Sequence, residues 1–133
     1  VFTRWITNTD SCASQISQWA ALEAVAGPQE SADAMRASFL ARRDLIVGLL
    51  NEVPGIHCRV PGGAFYVFVN VKALGRAAEE IAVHLLETAK IAVVPGTSFG
   101  RFGQDFIRMS YSNSYENLTV AMERMAESFK LLA

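Results

Sequence analysis

The sequence predicts an α+β fold: two helices, then elements in the order β-β-α-β-β-α. Three observations lead there. Apolar residues recur at helical spacing as far as Val53. After Pro54-Gly55 the texture changes to short runs of β-branched and aromatic residues bounded by Pro and Gly. Helical spacing then returns twice, over 77–89 and after Ser114. Elements of this kind pack as a small sheet covered by helices.

Taken in order, Val1 to Asp10 reads as a short apolar piece that runs into a cluster of turn and cap formers, Thr7 to Ser11. The first helix is expected from Ala13 to Ala26, with Ile16, Trp19, Leu22 and Val25 at helical intervals. Gly27-Pro28 closes it and opens the next, because glycine suits the position after a helix end and proline suits a first turn. The second helix runs from Pro28 to Glu52. Met35, Phe39, Ile46, Leu49, Leu50 and Val53 form its apolar stripe, and Arg36, Arg42, Arg43 and Asp44 its polar decoration. A short strand is expected within Ile56–Val60 and a longer one over Ala64–Asn70. The unbroken apolar run of the latter predicts cover on both faces. A helix over Ala77–Ala89, a strand over Ile91–Val94, a loop over Pro95–Gly100 and a strand over Phe106–Ser112 follow. The last helix is capped by Ser114 and carries Leu118, Met122, Met125 and Phe129 at spacings of four, three and four.

Composition limits the function. The chain has 133 residues, 51% hydrophobic and 19% charged, enough to bury a core without disorder. A net charge of −1 gives no electrostatic reason to expect nucleic acid or an anionic membrane. No stretch approaches the roughly 20 apolar residues of a membrane span. No secretion signal is legible at Val1, and the absence of an initial Met fits a fragment of a longer protein. The two cysteines, Cys12 and Cys58, lack metal-ligand spacing and read as reduced, partly buried thiols of a cytoplasmic protein. His57, beside Cys58, points to the opposite strand face. His84 reads as a cover for the core edge, Glu79-Glu80 as first-turn acids, and Asn117-Leu118-Thr119 as a glycosylation pattern discounted by its place in a helix.

The informative segment is Phe106 to Tyr111. On a strand, Phe106, Arg108 and Ser110 share one face, and Ile107, Met109 and Tyr111 the other. An arginine amid an apolar strand is costly unless its charge is met. Its planar fork matches a carboxylate or phosphate in a bidentate way. The residues leave three readings open: an external anion, an internal salt bridge, or an edge strand whose Arg108 reaches solvent. Pro61 to Ala64 and Pro95 to Gly100 could let backbone approach a ligand or could simply turn the chain. Neither has the spacing of a nucleotide loop.

Four segments together resemble the C-terminal portion of class I/II aminotransferases, the aspartate-aminotransferase-like branch of fold type I: Ser17 to Glu23 with Gly27 to Glu30, Pro61 to Phe68, Ile91 to Gly100 and Ile107 to Ser112. They occur in the family's order and spacing across nearly the whole chain. The resemblance implies a small C-terminal domain with a mixed or antiparallel sheet. It divides the chain into 1–27, the tail of the large cofactor-binding domain, 28–53, a long connecting helix, and 54–133, the small domain. It also implies pyridoxal 5'-phosphate as cofactor, amino-acid and 2-oxo-acid substrates, and a cytoplasmic homodimer. By the same resemblance Arg108 binds the substrate α-carboxylate, with Gly63 and Phe65 on the substrate side of the cleft. Thr7 to Ser11 would lie near the active site and dimer interface.

The family's Schiff-base lysine sits in a Ser-x-x-Lys or Ser-Lys context that Lys72, Lys90 and Lys130 do not share. The isolated chain is therefore expected to be inactive and to hold no catalytic or cofactor-binding residue. Other readings are a lyase of the same fold or a free-standing α+β module that binds a carboxylate or a protein.

Overall fold

The computed structural model describes residues 1–132. The chain forms two compact units, Val1–Arg36 and the remainder from Ala37.

The first unit holds α1 (Phe2–Thr9) and α2 (Gln15–Ala26), and it contains the start of α3 (Glu30–Glu52). Helix α1 corrects the sequence reading of this segment. Thr7, Asn8 and Thr9, read as turn formers, instead donate their side chains to the carbonyls of Thr3, Arg4 and Trp5, one turn back, at 2.8, 2.6 and 2.9 Å. That back-bonding satisfies the polar groups within the helix itself. Helix α2 starts two residues later than expected, where the Ser14 hydroxyl accepts the Ser17 amide at 3.3 Å. No residue of α1 or α2 is buried, and Cys12, expected to be partly covered, is exposed.

In the second unit the remaining elements are β1 (His57–Cys58), β2 (Tyr66–Asn70), α4 (Ala78–His84), β3 (Val94–Pro95), β4 (Phe106–Ser110) and α5 (Tyr115–Lys130). The sheet is antiparallel throughout, in the order β1-β2-β4-β3. β4, last in sequence, is an interior strand bonded on both sides. Tyr66 pairs with Ser110, Phe68 with Arg108 and Asn70 with Phe106, so these six residues share one face. Val67, Val69, Ile107 and Met109 share the other and are buried, with Tyr111 just beyond. They pack against Ile46 and Leu50 of α3, Ile81 of α4, and Leu118, Met122, Met125 and Phe129 of α5. Each fully buried side chain contributes about 1.5–3 kcal/mol.

The helices therefore cover one face of the sheet, which corrects the expectation that both faces of β2 are covered. Phe68 remains 39% exposed; the continuous apolar run reflects aromatic residues used on the open face. β3 lies at Val94–Pro95 rather than over Ile91–Val94, and Gly96–Phe99, read as loop, forms a 3₁₀ turn. Helix α4 ends at His84 and continues as a short π turn over Leu85–Ala89, stopped by Lys90 in the left-handed region at φ 59°. His84 does edge the core: its Nε2 meets the buried Ser128 hydroxyl at 2.8 Å, and that hydroxyl meets the Thr88 hydroxyl at 2.6 Å. α5 begins as expected, with the Ser114 hydroxyl accepting the Asn117 amide at 3.1 Å.

Candidate carboxylate-binding face

The open face of the sheet gathers four aromatic rings around one guanidinium. The Arg108 guanidinium carbon lies 4.4 Å from the Tyr66 ring centroid and 4.6 Å from that of Phe99. Phe99 meets Phe68 edge-on at 6.1 Å, and Phe68 stacks on Phe106 at 4.9 Å with 10° between planes. Strand alternation places Tyr66, Phe68, Phe106 and Arg108 there. Phe99 arrives from the 3₁₀ turn Gly96–Phe99.

That turn is held by close backbone packing. A Cβ on Gly96 would collide with the carbonyl of Gly103, and one on Gly103 would collide with the backbone of Gly96. Thr97 adds a side-chain hydrogen bond to Glu79 at the start of α4. This bond, followed by one from the backbone, holds the Glu79 carboxyl below its ordinary range.

Arg108 has no carboxylate partner among the described residues; the ion pairs there join Arg36 with Asp33, Arg43 with Asp44, Lys72 with Asp105 and Lys130 with Glu127. Nor does β4 lie at an edge. Arg108 is thus neither ion-paired among the described residues nor on an edge strand, and it stands half-buried on the open face of the sheet. Ring contacts use the flat face of a guanidinium and leave its in-plane N–H groups to donate.

Of the other expected site residues, Phe65 sits next to this group, its ring 4.4 Å from Tyr66 and 6.2 Å from Phe39. Gly63 lies in an exposed turn with open space where a Cβ would stand. The turn is tied to the sheet by Tyr111, whose hydroxyl donates to the Ala64 carbonyl at 2.7 Å. Ala64 takes φ 61°, a conformation unusual for a residue with a side chain. Tyr66 was not singled out from the sequence, although its i, i+2 spacing with Phe68 on a strand opposite Phe106 and Arg108 is the available signal.

A cavity of about 650 Å³ lies elsewhere, between α3 and α5 and lined by Leu49, Val53, Met122, Ala126 and Phe129 among others. None of the residues of the Arg108 face lines it. Among the described residues no cluster of ligands could hold a metal ion, and no helix is long and apolar enough to cross a membrane.

Comparison with known proteins gives this face a context. The family model for "Aminotransferase class I and II" matches residues 5–125. An aspartate aminotransferase of Pyrococcus horikoshii is 37% identical over 115 residues, covering 85% of this chain and 29% of that protein. One from Rhizobium meliloti is 42% identical over 126 residues, 87% of this chain and 30% of that protein. The crystal structure of an aromatic aminotransferase from Pyrococcus horikoshii superposes with a TM-score of 0.90 at 33% identity, covering 98% of this chain and 36% of that one. The chain thus spans under a third of the length of these curated relatives.

Proposed function

Since the chain belongs to the class I and II aminotransferase family, we propose that it is the C-terminal, substrate-gripping part of a pyridoxal-phosphate aminotransferase that moves an amino group between an amino acid and a 2-oxo acid. Arg108 binds the α-carboxylate common to both substrates. The observation that carries this reading is an arginine on an interior strand, free of internal carboxylates among the described residues, with its guanidinium carbon 4.4 and 4.6 Å from two ring centroids. A carboxylate there would receive two charge-assisted hydrogen bonds, each worth about 1.5–3 kcal/mol. Phe65 and the Gly62-Gly63 turn extend the same rim, and we assign Gly63 and Phe65 to its substrate side.

The described residues do not fit attachment of the cofactor. Lys72 leans toward Asp105 at 3.6 Å, Lys90 donates to the Glu87 carbonyl at 2.8 Å, and Lys130 pairs with Glu127 at 2.6 Å. In this reading attachment belongs to a part of the protein outside these residues, and the isolated chain is inactive.

The division into 1–27, 28–53 and 54–133 is part of the same reading, with 28–53 as the connecting helix. So are a homodimer and a cytoplasmic setting. In this reading the exposed Phe2, Trp5, Ile6, Ile16, Trp19 and Leu22 on α1 and α2 are apolar surface that the remainder of the large domain would cover.

The test is an amino-transfer assay on the full-length protein supplied with pyridoxal phosphate, using aspartate, alanine and aromatic amino acids against 2-oxoglutarate. Stoichiometric formation of a new amino acid and a new 2-oxo acid is expected. Release of ammonia or of a side-chain fragment, without amino transfer, would replace the aminotransferase reading with a lyase.

A further inference from the structure

We infer that Tyr66 and Phe99 are positioning residues that set the plane of the Arg108 guanidinium, so that its N–H fork faces outward before a carboxylate arrives. The inference rests on the reading of Arg108 as the carboxylate grip and says what makes that grip rigid.

Two rings lie against one guanidinium carbon, at 4.4 and 4.6 Å, well inside the range of a cation–π contact. Such a contact acts on the flat face, so it orients the fork without consuming its donors. Among the described residues no carboxylate or carbonyl takes those donors either. An unrestrained arginine would lose rotamer freedom on binding, whereas a fork fixed in advance loses little.

The two rings are themselves fixed, and by independent means. Tyr66 is placed by strand pairing with Ser110, two residues from Arg108 on the same face, and its ring rests on Phe65 at 4.4 Å. Phe99 is brought in by the turn that the Gly96–Gly103 packing and the Thr97–Glu79 hydrogen bond hold in place. Phe68, stacked on Phe106, supports its edge. Phe99 is nonetheless 52% exposed, so it does little to fill a core. Its aromatic and cationic partners among the described residues are Phe68 and Arg108.

The experiment compares Phe99→Leu and Tyr66→Leu with Phe99→Tyr and Tyr66→Phe in the full-length holoenzyme. Two quantities are read: the ratio of kcat/KM for an amino acid to that for the matching amine without its carboxylate, and the Kd of a 2-oxo acid by calorimetry. Each Leu variant is expected to lower the ratio and weaken the Kd by about two- to fivefold, the scale of a partly exposed cation–π contact. The aromatic replacements are expected to restore both. Parallel losses for amino acid and amine would mark the rings as merely structural and overturn the inference. So would a ratio that is unchanged in the Leu variants while Arg108→Ala collapses it. A ratio untouched by Arg108→Ala would instead refute the reading of Arg108, and the inference would fall with it.

Discussion

Replacing Arg108 by Lys separates charge from shape. Arginine can give one carboxylate two parallel N–H···O bonds, while lysine offers a point charge and keeps about one of them. Losing one charge-assisted bond costs about 1.5–3 kcal/mol, which is about 10- to 150-fold in kcat/KM. Arg108→Ala loses both, about 3–6 kcal/mol, or about 10²–10⁴-fold. Folding should register much less. Arg108 is only half-buried, makes no internal ion pair among the described residues, and stands on the open face of the sheet. The folding cost is then the loss of contacts with Tyr66 and Phe99, about 0.5–1 kcal/mol each at a partly exposed site. The assay is steady-state kinetics on the full-length enzyme with several unrelated amino acids, alongside thermal melts. KM should rise for all of them and by a similar factor, because the α-carboxylate is what they share. A KM that stays put while Tm falls by many degrees would refute the argument and make Arg108 a structural residue.

Two further outcomes are expected. Gly103→Ala forces a Cβ into the Gly96 backbone, an overpacking penalty of about 1–3 kcal/mol; thermal melts should show it, and the displaced turn should also lower the amino-acid-to-amine ratio. The Cys58 thiol is buried, and burial pushes its pKa from 9.0 up to about 11. The folded protein then holds this proton after the unfolded chain has released it, so the contribution to stability is complete below pH 9 and drains away toward pH 11. Urea midpoints should decline more steeply over that window in the wild type than in Cys58→Ala, and at pH 8 a thiol reagent should modify exposed Cys12 while sparing Cys58.

What the sequence disclosed was mostly local. Ser114 and the Leu118, Met122, Met125, Phe129 spacing state both the start and the buried side of α5, because cap chemistry and helical period act within a few residues. Alternation along β4 put Ile107 and Met109 on the face opposite Arg108, and the structure buries that pair. Two kinds of information were missing. Thr7, Asn8 and Thr9 favour turns and caps as residue types, yet each can serve a carbonyl of its own helix, and type alone does not decide between these. The aromatic setting of Arg108 joins Tyr66, Phe99 and Arg108 through strand order and a turn. Spacing puts Tyr66 and Phe68 on one strand face, but nothing along the chain reveals that Phe99 and Arg108 meet there.

The sheet order β1-β2-β4-β3 has a consequence for how this face comes into being. The strand that bears Arg108 enters between two partners made earlier, and its pairing of Tyr66 with Ser110 closes a loop of more than forty residues. Contacts of such sequence separation form slowly, because chain entropy is spent before they reward it. Until β4 inserts, β2 and β3 are two separate open edges, and Phe68 has neither Phe106 nor Arg108 beside it. The Arg108 face is therefore a product of strand pairing across the whole sheet: a chain that owns most of its helices but has not paired β4 lacks it.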